Sequence, residues 1–227
     1  MCGITLFISK EENDNNAVNN VLDSLFQLQN RGYDSFGIAY YDISNNNYKI
    51  HKKSNSWVLG QKKDLYEIFK NETNNLQSNI CIGHSRWATH GKISDINSHP
   101  HISNDNLFMC VHNGIIENYY EIKEFLKEQN YNFYSETDTE VIINLIEYHY
   151  KHSETIENIN ERIEHSIYSA IQKLSGTYGL IILNNIIPEN IYLIKNGSPL
   201  LIAENETLIS ATSELCGFNN QVKNYIR

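Results

Sequence analysis

Cys2, Gly3 and Ile4 follow the start methionine directly. With Met1 removed, Cys2 carries both a thiol and a free α-amine. The thiol is a nucleophile. An N-terminal amine titrates near ~8, against ~10 for a lysine, so it can take the thiol proton near neutral pH. While Met1 is retained, the same nitrogen is an amide and accepts no proton. We therefore expect the chain as written to be a precursor. The plain alternative is a small apolar residue opening a strand, the usual fate of a free cysteine.

Three other segments carry chemistry. Gly83-His84-Ser85-Arg86-Trp87-Ala88-Thr89-His90-Gly91 follows a strand pattern. Arg86 can hold a carboxylate bidentately, which a lysine cannot; it can equally be a structural ion-pair partner. Val111-His112-Asn113-Gly114 ends another apolar run. A side-chain amide beside an accessible glycine N–H offers two donors that can converge on one oxyanion, although Asn-Gly is also a common turn pair. Ser135-Glu136-Thr137-Asp138-Thr139-Glu140 precedes a strong helical pattern. The Thr137/Glu140 spacing fits a capping box, with Asp138 as first helical residue, favoured there by the helix dipole. The Asp138 carboxylate can also bind an ammonium group. His84, His90, His99, His101 and His112, with Cys81 and Cys110, invite a metal reading. Their spacing lacks the usual zinc pairs, so we expect no metal.

The elements that must position these groups follow from periodicity. We expect strands over 3–8, 36–42, 48–52, 80–84 and 107–112, with a turn at 44–47 joining the second and third. Helical spacing predicts helices over 18–28, 65–69, 119–128, 138–150 and 156–174. Strands return over 178–183, 191–195, 200–203 and 208–211. There is no regular βαβ alternation, which disfavours a doubly wound parallel sheet and favours a mixed α+β domain. No repeat or Pro/Gly/Ser-rich linker divides the chain, so one domain over 1–227 is expected.

Composition sets the outer limits. The 227 residues are 41% hydrophobic and 11% aromatic, enough for a sizeable core. Lys plus Arg number 18 against 27 Asp plus Glu, a net charge of -9. That balance argues against a nucleic-acid partner. No apolar run approaches the ~18 residues of a membrane span, and no signal-peptide pattern is present. The cysteines are too few and too scattered for a disulfide framework, so a reduced, cytoplasmic setting is expected.

Taken in order, these segments resemble the glutaminase domain of the class II glutamine amidotransferases, which are N-terminal-nucleophile hydrolases. The matching stretches are Met1-Cys2-Gly3-Ile4, Arg31-Gly32-Tyr33-Asp34-Ser35, Arg86-Trp87-Ala88-Thr89-His90-Gly91, Asn97-Ser98-His99-Pro100-His101, Val111-His112-Asn113-Gly114-Ile115-Ile116-Glu117-Asn118, Ser135 to Glu140 and Gly197-Ser198-Pro199-Leu200. The Trp87 to His90 and His112 to Asn118 runs are most similar to the branch that aminates fructose 6-phosphate.

The resemblance implies a four-layered αββα sandwich that hydrolyses L-glutamine. It implies Cys2 as nucleophile with its own amine as base, and Asn113 and Gly114 as oxyanion donors. Arg86 would hold the α-carboxylate and Asp138 the α-ammonium. Trp87, Thr89 and His90 would line the pocket, with Arg31 in a loop near the nucleophile. No cofactor is implied. The partners implied are glutamine and sugar-phosphate isomerase domains, which we expect to lie outside this chain together with a closing strand pair. Two departures stand out: Phe36 where the family has a small residue, and Ala211-Thr212-Ser213 where it has Ala-Ser-Asp. A glutaminase serving another acceptor, a silent glutamine-sensing module and a metal-binding protein stay open as alternatives.

Overall fold

The computed structural model describes residues 2–11, 15–54, 65–88, 91–219, 221–222 and 224–226. Among the described residues, ten strands form two antiparallel sheets. The larger runs in the order β3 (Asn47–Ser54), β2 (Ser35–Asp42), β4 (Ile80–Arg86), β1 (Gly3–Ser9), β10 (Leu208–Thr212), β9 (Leu201–Glu204). The smaller runs β5 (His101–Ile102), β6 (Phe108–Ile116), β7 (Gly176–Asn184), β8 (Tyr192–Asn196).

Alternation of side chains along the strands explains the layering. On β1, Ile4 and Leu6 join Ile82 of β4 and Met109, Val111, Ile181 and Leu183 of the smaller sheet in one apolar layer between the sheets. The opposite parity of the larger sheet, Phe7, Ile38 and Cys81, packs on α1 (Ala17–Gln27) and α2 (Leu65–Thr73). The opposite parity of the smaller sheet, Phe108, Cys110, Leu180 and Ile182, packs on α3 (Tyr119–Glu128), α4 (Thr139–Lys151) and α5 (Ile159–Ile171). The result is the αββα sandwich expected from the sequence resemblance. Phe36 is absorbed by the helical side of the larger sheet, where its ring packs edge-on to Tyr66 at 5.8 Å.

Several boundaries differ from the sequence reading. The strand expected to end at His112 runs on to Ile116, with Asn113 paired to Gly179 and Gly114 to Tyr178. Asn113-Gly114 is thus ladder, not turn. Likewise β4 continues past His84 to Arg86, because Arg86 pairs with Ser35. The capping box does not form. Asp138, not Thr137, occupies the N-cap of α4, and no side chain caps it. The Glu140 carboxylate instead accepts from the Tyr134 and Ser135 amides at 2.9 and 2.7 Å. The last helix starts at Ile159 rather than 156, because the Asn158 side chain accepts from the Asn160 and Glu161 amides and fixes its start. The short strand β5 gave no periodic signal.

Close approaches tie the loops to the sheets. A β-carbon added to Gly37 would lie 1.9 Å from the His99 carbonyl oxygen. We expect Gly37→Ala to lower stability by about 3 kcal/mol through this overlap, read as a reduced urea midpoint at unchanged slope. A midpoint within error of the parent would mean that the 97–101 segment yields freely.

Candidate active site

Cys2 lies one residue before β1, at the end where the inter-sheet apolar layer runs out. It shares the parity of Ile4 and Leu6, so its thiol faces the space between the sheets. His84 and Arg86 extend the inward parity of Ile82 on β4, and Asn113 extends that of Met109 and Val111 on β6. Hydrophobic residues fill the middle of each strand, and polar ones take over together at one end. There a small cleft is lined by Cys2, Arg86, Trp87, His99, His112, Gly114, Thr137, Asp138 and Thr139.

The thiol sits against the backbone of Trp87. Its Sγ is 3.5 Å from the Trp87 N–H and 3.7 Å from the Trp87 carbonyl. Burial pushes the Cys2 thiol up from its ordinary range; the Trp87 contact and the Arg86 charge oppose this but do not overcome it. The thiol therefore stays protonated at neutral pH and needs a base to become a nucleophile. Gly32 packs directly under this loop: an added β-carbon would lie 2.4 Å from the Arg86 carbonyl carbon. Asp34 fixes the loop from the other side by accepting from the Ala88 amide at 2.8 Å.

Asn113 is buried, and its Nδ2 finds no acceptor among the described residues. A buried amide donor without an acceptor is rare in a folded protein. The next residue, Gly114, has φ +147°, and a β-carbon there would meet the Thr177 carbonyl oxygen at 1.9 Å. Only glycine fits, so its edge of the cleft is backbone.

Arg86 is buried, and its Nη1 donates to the Lys92 carbonyl at 3.1 Å. Desolvation lowers its pKa, against the raising effect of Cys2, Asp34, Asp138 and Glu136. The 91–97 loop around it is held by Glu136, which accepts from the Lys92 amide at 2.9 Å and from Asn97 Nδ2 at 3.0 Å. Across the cleft, Asp138 Oδ2 accepts from the Ile116 amide at 2.8 Å. That bond fixes the start of α4 to the end of β6. The cleft thus carries a cation on one wall, a carboxylate on the other, and a thiol, with one unengaged side-chain donor, Asn113 Nδ2, beside it.

Four histidines form the wall behind. His84 and His99 stack at 3.9 Å, and His101 meets His99 edge-on at 4.8 Å. His99 Nδ1 accepts from the His112 amide at 3.3 Å, which leaves its proton on Nε2. His112 Nδ1 lies 2.9 Å from Thr139 Oγ1. Stacked rings direct their nitrogens sideways into separate bonds, and among the described residues no three His, Cys, Asp or Glu side chains gather as a metal site.

Of the residues singled out in the sequence, the structure gathers Cys2, Arg86, Trp87, Gly114 and Asp138 around one cleft, with Asn113 beside it. Arg31 does not line the cleft; its Nε donates to the Cys2 carbonyl at 2.9 Å. Thr89 and His90 lie outside the described residues. Asp34, Asn97, Glu136 and Thr139 were not assigned roles from sequence. Each lies within a motif quoted above, so proximity to the motif was the available signal.

The layer order is that of the N-terminal-nucleophile type of sandwich. A solved structure of glutamine phosphoribosylpyrophosphate amidotransferase from B. subtilis, complexed with ADP and GMP, overlays all of this chain and 45% of its own at a TM-score of 0.76 and 24% identity, so the fold is shared. A family model described as a glutamine amidotransferase domain matches residues 84–220, more than half of the chain. The chain belongs to this glutamine amidotransferase domain family.

Among curated relatives, the glutamine–fructose-6-phosphate aminotransferase [isomerizing] of Methanococcus maripaludis is 39% identical over 227 residues, covering 98% of this chain and 35% of its own. That of Caldanaerobacter subterraneus subsp. tengcongensis is 41% identical over 202 residues, covering 89% and 30%. The chain thus spans about a third of the length of the relatives it matches. No helix among the described residues is long and apolar enough to cross a membrane.

The buried histidines set an acid limit on stability. An unfolded histidine takes up a proton as pH falls through about 6.5. Folded His84 stays neutral down to about 3, because burial opposes the charge. His99 and His101 shift the same way for the same reason. Between these values the unfolded chain binds more protons, so stability falls as pH falls. From pH 7.5 to pH 5 His84 alone should remove about 2 kcal/mol. Urea denaturation at the two pH values measures this, and His84→Asn should flatten the dependence.

Proposed function

We propose that this chain hydrolyses L-glutamine to glutamate and ammonia through a thioester on Cys2. The observation that carries the reading is the cleft itself: a thiol, a buried cation and a carboxylate on opposite walls, and the unengaged Asn113 amide beside the Gly114 backbone. Glutamine is amphoteric and offers one group to each. Arg86 takes the α-carboxylate, and Asp138 takes the α-ammonium. The side-chain amide then reaches Cys2.

In the form whose first residue is Cys2, the free α-amine removes the thiol proton and Sγ attacks the amide carbon. Negative charge moves onto the amide oxygen, where the Asn113 Nδ2 and the Gly114 N–H receive it. The protonated amine returns its proton to the leaving nitrogen, the C–N bond breaks, and ammonia departs. Water then attacks the thioester, releasing glutamate and restoring the thiol. A thiol pushed up by burial makes the adjacent base necessary rather than incidental. Trp87 borders the cleft, and the family resemblance gives Thr89 and His90 as further pocket residues. Arg31 acts on Cys2 rather than on substrate. The similarity to glutamine–fructose-6-phosphate aminotransferases supports fructose 6-phosphate as the eventual acceptor, reached through isomerase domains in cis or in trans in the cytoplasm.

The deciding assay is glutamate release by protein whose intact mass begins at Cys2. We expect Cys2→Ala to abolish release while glutamine binding by calorimetry survives. Asn113→Ala should lower kcat by about 10²-fold with little change in KM, since its donor engages charge only in the transition state. Binding without turnover in the processed parent protein would make the chain a sensing module instead.

Arg86→Lys tests the carboxylate clamp separately. Losing the bidentate pair should raise KM by about 10-fold or more while kcat falls less. A near-parental KM would assign Arg86 a purely structural role.

A further inference from the structure

Cys2 precedes β1, so the sheet ladder that fixes residues 3–9 does not itself fix the nucleophile. Chain ends fray unless they are tied. Two grips from distant sequence hold this one. Ser213 clasps Ile4 twice: its amide donates to the Ile4 carbonyl at 3.0 Å, and its Oγ accepts from the Ile4 amide at 3.1 Å. Two residues before Ile4 and one after Ser213, Arg31 Nε donates to the Cys2 carbonyl at 2.9 Å, and Arg31 Nη1 meets Glu214 Oε2 at 3.4 Å. The same carboxylate oxygen accepts from Asn30 Nδ2 at 3.4 Å.

The geometry points to Glu214 as a positioning residue for the Cys2 nucleophile, acting through Arg31; this deepens the glutaminase reading and rests on it. The Arg31 side chain is 12% exposed and that of Glu214 40%, so the carboxylate sits at the rim and the guanidinium reaches inward from it. Glu214 is itself well anchored. It is extended at φ -151°, follows Ser213 directly, and opens a 3-10 turn over Leu215–Phe218. Gly217 in that turn packs so closely on Thr212 that an added β-carbon would lie 2.1 Å from the Thr212 Oγ1. A carboxylate on a segment bound to β1 thus orients a guanidinium that holds the residue before β1. The end of the divergent Ala211-Thr212-Ser213 stretch and the Glu214 that follows it then have a joint purpose, with Ser213 setting Ile4 and Glu214 setting Cys2.

A rim ion pair adds little to global stability, but a small displacement of a reacting atom can lower rate by up to ~10²-fold. The two effects therefore separate. In Glu214→Ala and the near-isosteric Glu214→Gln we expect kcat for glutamate release to fall about 5- to 20-fold. KM should stay within about twofold, because Arg86 and Asp138 are untouched. Glu214→Asp should recover a large part of the loss, and the urea midpoint should not move. Unchanged kcat in both the Ala and Gln variants, or a change in KM alone, overturns the proposal.

Cys2 alkylation, followed by peptide mass, reads the same brace without turnover. A loosened Cys2 should react faster with iodoacetamide in Glu214→Ala than in the parent. If the parent protein releases no glutamate, the glutaminase reading fails by itself; an unchanged iodoacetamide rate sinks the brace whether or not turnover is seen.

Discussion

One apolar layer shared by two antiparallel sheets governs the molecule. Ile4, Leu6, Ile82, Met109, Val111 and Ile181 exclude water between the sheets, and the strand pairing fixes their depth to within a residue. A one-residue slip in any of these strands would turn its whole face over. The groups of the cleft inherit that register. Cys2 just before β1, Arg86 on β4 and Asn113 on β6 sit two or more places beyond the last apolar residue of their parity, and each continues the inward parity of its own strand. The site is the polar end of the core.

Electrostatics completes what register begins. The cleft holds one buried guanidinium and one carboxylate, and the four histidines behind it stay neutral because burial opposes their charge. A charged imidazole there would compete with Arg86 for an anion and repel an ammonium group. Stacking of His84 on His99, the bond of His84 Nε2 to the His112 carbonyl and that of His112 Nδ1 to Thr139 hold these rings in place. Neutral histidines give a polar wall with no net charge, and on the glutaminase reading proposed above Arg86 and Asp138 orient the amphoteric substrate.

Much of this was legible in the sequence. Strand and helix types were recognisable from period, and the ordered motifs named the cleft residues before any geometry. What the sequence could not reveal has physical causes. Asn113-Gly114 reads locally as a turn, and only pairing with Gly179 and Tyr178 across more than sixty residues makes it ladder. Thr137 and Glu140 have capping spacing, but Glu140 is claimed by the Tyr134 and Ser135 amides, a competition invisible in a pattern. The two-residue strand β5 is too short to carry a period. The Glu214 contact with Arg31 joins positions 183 apart, and no local pattern reports such a contact.

The hydrogen bond from the Ile116 amide to Asp138 has a consequence for how such a site can change. It makes one carboxylate answer to two masters. If Asp138 holds the ammonium group of the substrate, the same atom pair also sets where β6 ends, and with it the pose of Asn113 and Gly114. Recognition and reactivity then cannot be revised one at a time. A lineage drifting toward a substrate without an α-amine would have no use for the charge, yet deleting it would release the end of β6 that carries Asn113 and Gly114. On the proposed glutaminase reading, the cheaper course is to keep the glutamine site intact and to vary only what receives the ammonia.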